Sequence, residues 1–166
     1  MVIQIIVLLF SHAAFAQKQS RILNPAYENM LDKLLDHSVP EISCEELAQR
    51  KDEFILLDTR EIKECSISMI EGARCVGYKK FNLNSINDIP KNQRIVCYCS
   101  VGYRSEKIAT KLKEAGYTQV YNLYGSIFEW ANRDYPLYLD QTRIYSIHGY
   151  NKYWSRWMNN KKIKKN

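Results

Sequence analysis

Short apolar runs alternate with amphipathic stretches through the middle of this sequence, and that alternation constrains the fold more than any other feature. Phe54 to Leu57 reads as a short buried strand, followed by a polar turn at Asp58-Thr59-Arg60, a weak helix from Glu61 to about Ile67, and a strand around Ala73 to Val76 that Gly72 introduces. A loop with a short helix near Ser85 to Ile89 leads to Pro90. Arg94 to Tyr98 is a compact apolar run of the kind covered on both faces, so it belongs at the centre of a sheet. Ser105 to Ala115 then carries Ile108, Ala109, Leu112 and Ala115 on one side of a helix, which Gly116 stops. A further strand, Val120 to Leu123, turns at Gly125 into a helix from Ile127 to Asn132. Parallel strands need crossover connections, and those connections cover the sheet. The expected fold class is therefore α/β, a small three-layer domain with a central, mostly parallel sheet flanked by helices.

The chain has 166 residues, enough for one domain with its own core, which these elements place at residues 41–139. Met1 to Ala16 is an apolar stretch ending in Ala14-Phe15-Ala16, a small-x-small pattern that reads as a signal peptide cut after Ala16. It lacks the usual basic start and is short for a membrane span. Export to a periplasmic or extracellular space is the expectation, with no stable membrane association after cleavage. Residues 17–40 form a lead-in with one amphipathic helix through Tyr27, Met30, Leu31, Leu34 and Leu35, ended by Pro40. Ser43-Cys44-Glu45-Glu46 fits a capping box opening a short helix through Arg50.

In residues 140–166, Tyr150, Trp154, Trp157 and Met158 recur at roughly helical spacing, as an appended helix packing its aromatics on the body or as a partner surface. Charge is uneven: residues 18–140 hold 17 basic and 18 acidic side chains, and 141–166 hold seven basic and none acidic. The Lys161, Lys162, Lys164, Lys165 end reads as a frayed, solubilising tail before an anionic-surface contact. The nearly neutral body gives no support to nucleic-acid binding.

The five cysteines are Cys44, Cys65, Cys75, Cys97 and Cys99, an odd number that leaves at least one thiol unpaired in an oxidising compartment. Their irregular spacing does not resemble a disulfide framework, and Cys44, Cys65 and Cys75 read as structural. Cys97-x-Cys99 without a second ligand pair or nearby His is a weak metal signal, so no metal or cofactor is expected.

Cys99 to Ser105 (Cys-Ser-Val-Gly-Tyr-Arg-Ser) lies between the buried strand and a helix start. Ligands bind in the crevice at the carboxyl ends of parallel strands. A thiol there, followed by a loop containing Gly102, can be ringed by backbone N–H groups, with the positive end of the helix and Arg104 adding to the field. Such surroundings favour thiolate at Cys99, the form that attacks sulfur.

Cys99-x-x-Gly102-x-Arg104-Ser105 followed by an amphipathic helix resembles the active-site loop of the rhodanese family. Leu56-Leu57-Asp58-Thr59-Arg60 resembles that family's strand ending in Asp-x-Arg, Ile70-Glu71-Gly72-Ala73 its Ile-x-Gly-Ala turn, and Val120 to Trp130 its Gly-containing segment before the last helix. The order matches from about Glu41 to Pro136. Two departures stand out: Ser68-Met69 precede Ile70 where Gly-His is frequent, and Ser126 occupies a position where a second Gly is common. The resemblance implies a sulfurtransferase of the single-domain thiosulfate type. Cys99 would be the catalytic nucleophile, taking a sulfane sulfur from a small thiosulfate-like anion as a persulfide and passing it to a thiol or cyanide acceptor. Ser100, Val101, Gly102, Tyr103, Arg104 and Ser105 would bind the substrate, through loop amides and the Arg104 clamp. Arg104 could instead serve a structural ion pair. Asp58 and Arg60 fit a structural turn and ion pair, or, at Arg60, a substrate contact.

Three other functions use similar residues. Phosphatases and arsenate reductases have five residues between Cys and Arg, whereas this loop has four, which suits a single sulfur better than a tetrahedral phosphate. A non-catalytic binding module would be expected to lack Cys99. A thiol-redox protein would pair Cys97 with Cys99.

Overall fold

A computed structural model of the chain describes residues 21–166; the expected signal peptide lies outside the described residues. The first helix, α1 (Pro25–Leu34), has Asn24 as its N-cap and buries Tyr27 and Leu31, as the helical spacing predicts. It ends at Leu34 rather than at Pro40. Strand β1 (Glu41–Ile42) leads to α2 (Cys44–Arg50), where Ser43 Oγ accepts from the Glu46 N–H at 3.1 Å. Glu46 does not complete the expected box, because its carboxylate is taken by Arg50 at 2.7 Å.

There follow β2 (Ile55–Asp58), α3 (Ile62–Cys65), β3 (Arg74–Cys75), β4 (Arg94–Tyr98), α4 (Tyr103–Glu114), β5 (Gln119–Leu123) and α5 (Ser126–Asn132). A single 3₁₀ turn at Leu83–Ile86 occupies the loop before β4, slightly earlier than the short helix expected near Ser85.

The five strands form one parallel sheet in the order β1-β5-β4-β2-β3, with β4 in the middle as its apolar run predicts. Successive side chains of a strand point to opposite faces. Ile95 and Cys97 accordingly join Leu57, Ile108, Ala109, Leu112 and Val120 under α4, while Val96 and Tyr98 join Leu31, Leu56, Leu123 and Phe128 under α1 and α5. Burial on both faces explains why Arg94–Tyr98 shows no polar alternation. Among the described residues, no helix is long and apolar enough to cross a membrane.

Beyond Asp134 the structure departs from expectation. Instead of one aromatic helix there is a hairpin of β6 (Leu137–Leu139) and β7 (Thr142–Ile144), then β8 (Ser146–Ile147), the four-residue α6 (Lys152–Ser155) and β9 (Lys164–Lys165). The basic end is not frayed, because β9 pairs in parallel with β8 and the Gly149 N–H donates to the Asn166 carbonyl at 2.9 Å. Its aromatics still pack on the body, with Trp157 stacked on Tyr27 at a ring separation of 5.4 Å.

Cys65 and Cys75 form a disulfide that ties α3 to β3, a pairing the irregular spacing does not reveal. The closed loop is short, so reduction, or the Cys65→Ala, Cys75→Ala double variant, is expected to cost about 2–3 kcal/mol of stability. Urea unfolding with and without reductant measures it; a difference below about 0.5 kcal/mol would show that the bridge is dispensable.

Candidate functional site

Cys99 follows the last residue of the central strand, so its loop opens at the carboxyl edge of the sheet. The first turn of α5 holds the start of that loop. The Cys99 N–H donates to Ser126 Oγ at 3.0 Å, and the Cys99 and Ser100 carbonyls accept from the Ile127 and Phe128 N–H groups, each at 3.2 Å. The far side is fixed from β5: Ser105 Oγ donates to Asn122 Oδ1 at 2.7 Å, and Asn122 Nδ2 donates to the Gly102 carbonyl at 3.2 Å.

Gly102 has φ +116°, a conformation L-residues avoid, and this turn aims its N–H at Cys99 Sγ at 3.2 Å. Burial raises the pKa of the Cys99 thiol, yet the charge of Arg104, the N–H groups of Ser105 and Gly102, and the Ser105 hydroxyl together bring it below the ordinary cysteine range. Cys97, two residues earlier, is fully buried under α4; desolvation, with the neighbouring Cys99, pushes its pKa up. The surroundings thus favour ionisation of the Cys99 thiol and oppose it at Cys97.

Arg104 is clamped from behind. Its Nη1 and Nη2 donate to Glu64 Oε2 and Oε1 at 2.7 and 2.8 Å, and Nη2 also reaches Ser100 Oγ at 2.9 Å. The buried Glu64 carboxylate accepts further hydrogen bonds from Ser100 Oγ at 3.2 Å and from the Glu61 N–H at 3.1 Å. Burial works against the Glu64 charge, but the bonds and charge of Arg104 outweigh it and hold the carboxyl below its usual range. The two readings of Arg104 are thus compatible, since an ion pair fixes the guanidinium while leaving it on the cavity wall.

The cavity has a volume of about 430 Å³. Of the loop residues singled out from the sequence, Cys99, Ser100, Val101, Tyr103 and Arg104 line it. Gly102 and Ser105 stand behind, with their N–H groups toward the sulfur. Leu34, Tyr78, Tyr150 and Trp154 add apolar wall, and Glu61, Lys63 and Lys79 add charge.

Arg60 is not among them. Both Arg60 and Asp58 have fully buried side chains, and the guanidinium is held by Asp58, with Nη2 to Oδ2 at 2.6 Å, and by the Ser68 carbonyl, away from the cavity. The candidate substrate contact at Arg60 is therefore corrected to a structural ion pair. Among the described residues, no group of three or more His, Cys, Asp or Glu side chains could hold a metal ion.

A model of the rhodanese-like domain matches residues 43–133. The chain belongs to the rhodanese-like domain family. A sulfurtransferase of Allochromatium vinosum is 33% identical to it over 102 residues, which cover 60% of this chain and 94% of that protein. A tRNA uridine(34) hydroxylase of Bartonella henselae is 34% identical over 85 residues, 48% of this chain, but the match spans only 28% of that longer protein. Among solved structures, a rhodanese-related protein of Thermoplasma volcanium superposes with a TM-score of 0.56 at 20% identity, covering 61% of this chain and all of that one. A thiosulfate sulfurtransferase of Pseudomonas aeruginosa gives 0.57 at 22% identity, covering 70% of this chain and 23% of that chain. These two likenesses show a rhodanese-like fold.

The rhodanese-like signature of the sequence points to neither Glu64 nor Ser126 inside the matched region, nor to Tyr150 and Trp154 beyond it. Ser126 had a signal: it occupies a position where glycine is common. Its φ of +54° explains the preference for glycine, and its hydroxyl accepts the Cys99 N–H. Ser126→Ala should leave that buried N–H unpaired and lower stability by about 1–3 kcal/mol. Ser126→Gly should cost less, because relief of the positive φ offsets part of the loss. Denaturant midpoints of the two variants check the order; equal losses would mean that the positive φ stores no strain, and a Ser126→Ala loss near zero would mean that the bond carries no weight.

Proposed function

We propose that this chain is a sulfurtransferase in which Cys99 carries a sulfane sulfur between an anionic donor and a thiophilic acceptor. The observation that carries the reading is Cys99 Sγ beside the Gly102 N–H, its acidity raised by Arg104 and by the N–H groups at the start of α4. The named activity of the Allochromatium vinosum relative, which this chain matches over 94% of its length, supports it.

With thiosulfate as donor, the Cys99 thiolate attacks the outer sulfur. A bond forms between Sγ and that sulfur, the bond to the sulfite group breaks, and sulfite leaves with the electron pair. The resulting persulfide anion keeps the N–H donors and Arg104 as its counterparts. A thiol or cyanide then attacks the outer sulfur and restores the thiolate; with cyanide the product is thiocyanate. The departing sulfite sits near Arg104, whose position Glu64 fixes.

The reading extends to export. The apolar Met1–Ala16 stretch and the Cys65–Cys75 disulfide both fit a periplasmic or extracellular protein, since disulfides persist in oxidising compartments. In this reading its partners are a small anionic sulfur donor and a thiol or cyanide acceptor, with no bound cofactor.

The test is intact-mass measurement after incubation with thiosulfate, followed by cyanide. The expected result is a gain of one sulfur atom, its removal by cyanide, and release of thiocyanate in equal amount. A protein that takes up no sulfur but hydrolyses a phosphate ester would overturn the proposal.

A further inference from the structure

The cavity over Cys99 is walled in part by a segment outside the residues that match the family model: Tyr150 and Trp154 lie beyond position 133. Its volume of about 430 Å³ falls in the range occupied by small organic ligands, and an anion as small as thiosulfate would leave most of it empty. The added wall is aromatic. The Tyr150 ring lies 5.0 Å from the Arg104 guanidinium carbon, beside the place where a leaving group would part from the transferred sulfur.

Tyr150 is also held there against its own backbone preference. Its φ is +63°, unfavourable for an aromatic residue, and its N–H donates to His148 Nδ1 at 2.9 Å. The adjoining Gly149 is tied to Asn166, and Asn151 caps α6, which carries Trp154. Strain of this kind persists only where the surroundings enforce it, and it concentrates at ligand-contacting positions.

We propose that Tyr150 and Trp154 are specificity-determining residues, forming an aromatic wall that receives the organic body of the sulfur donor and selects organic sulfane-sulfur anions over inorganic thiosulfate. This rests on the sulfur-transfer reading of Cys99. The chemical class is an anion whose terminal sulfur is bonded to a leaving group bearing an apolar ring, of which benzenethiosulfonate is a suitable probe. The thiolate attacks its outer sulfur, the sulfur–sulfur bond breaks, and benzenesulfinate departs with the electron pair, so no oxidant or reductant is consumed. Arg104 meets the anionic head, and Tyr150 and Trp154 meet the ring.

The experiment compares kcat/KM for benzenethiosulfonate, methanethiosulfonate and thiosulfate, with cyanide as acceptor, in the full-length protein and in its Tyr150→Ala, Tyr150→Phe and Trp154→Ala variants. The expected result is a preference for the aryl over the methyl donor, and a fall of about tenfold in the aryl-to-thiosulfate ratio in each alanine variant, seen mainly in KM. Tyr150→Phe, which keeps the ring, should retain the ratio. A ratio that stays constant while both rates fall would mean a merely structural role and would overturn the proposal alone. Failure of every donor to place sulfur on Cys99 in the wild-type protein would instead overturn the underlying sulfur-transfer reading, and this proposal with it.

Discussion

Cys99→Ser is expected to abolish sulfur uptake from thiosulfate, a loss of at least the order of 10³-fold, as follows when a nucleophile is removed. The N–H groups of Gly102 and Ser105 and the charge of Arg104 stabilise a thiolate at this position. The same donors cannot ionise a serine hydroxyl at neutral pH, so the variant keeps the loop and loses the reactive anion. In the wild-type protein, alkylation of Cys99 by iodoacetamide should reach half its maximal rate at a pH below about 8.5, the value for an unperturbed cysteine. A thiol whose pKa is lower in the folded chain than in the unfolded one contributes stability that is present above pH about 8.5 and is lost as pH falls through the folded-state value. Equal sulfur uptake by Cys99→Ser, measured as the mass gain after thiosulfate treatment, would place the reacting atom elsewhere.

The largest effect on folding is expected at Asp58. Its carboxylate accepts from Arg60 Nε at 3.0 Å and Nη2 at 2.6 Å, and from the Arg60 N–H at 3.0 Å, with both side chains fully buried. Asp58→Ala removes the partner of a guanidinium that cannot reach water, which should cost about 3–5 kcal/mol. For a chain of this size that corresponds to a fall in melting temperature of roughly 10 °C. An Asp58→Leu, Arg60→Met double variant, which takes out both charges, should regain much of the loss. Calorimetry of the two proteins decides the matter, and a single variant within about 1 kcal/mol of wild type would show that the pair contributes little.

The central layer of the fold was legible because its signals are local. Arg94–Tyr98 is apolar on both faces, and the helix after it repeats its apolar residues every three or four positions. The Cys99–Ser105 loop was legible for a related reason: thiol, glycine and arginine lie within seven consecutive residues, and the chain needs only one turn to bring them together.

What escaped depends on contacts between residues distant in sequence. Glu64 looked like an ordinary acid on a weak helix, and nothing local marks it as the partner of Arg104, 40 residues away. The bridge between Cys65 and Cys75 depends on α3 and β3 lying side by side. The C-terminal aromatics have a helical period, but only Lys152–Ser155 is helical, because two-residue strands such as Ser146–Ile147 and Lys164–Lys165 are too short to show a period of their own. Tyr150 reaches the cavity only through that pairing and a backbone angle that propensity disfavours.

The burial of Cys97 and Cys44 bears on how long a sulfur held at Cys99 would last under the proposed function. Both are buried from solvent and desolvation raises the pKa of each, while Cys65 and Cys75 are already joined. In the proposed cycle, a persulfide on Cys99 would find no solvent-accessible second thiol in the chain to discharge it as hydrogen sulfide, and the lifetime of the cargo would be set by the concentration of acceptor outside.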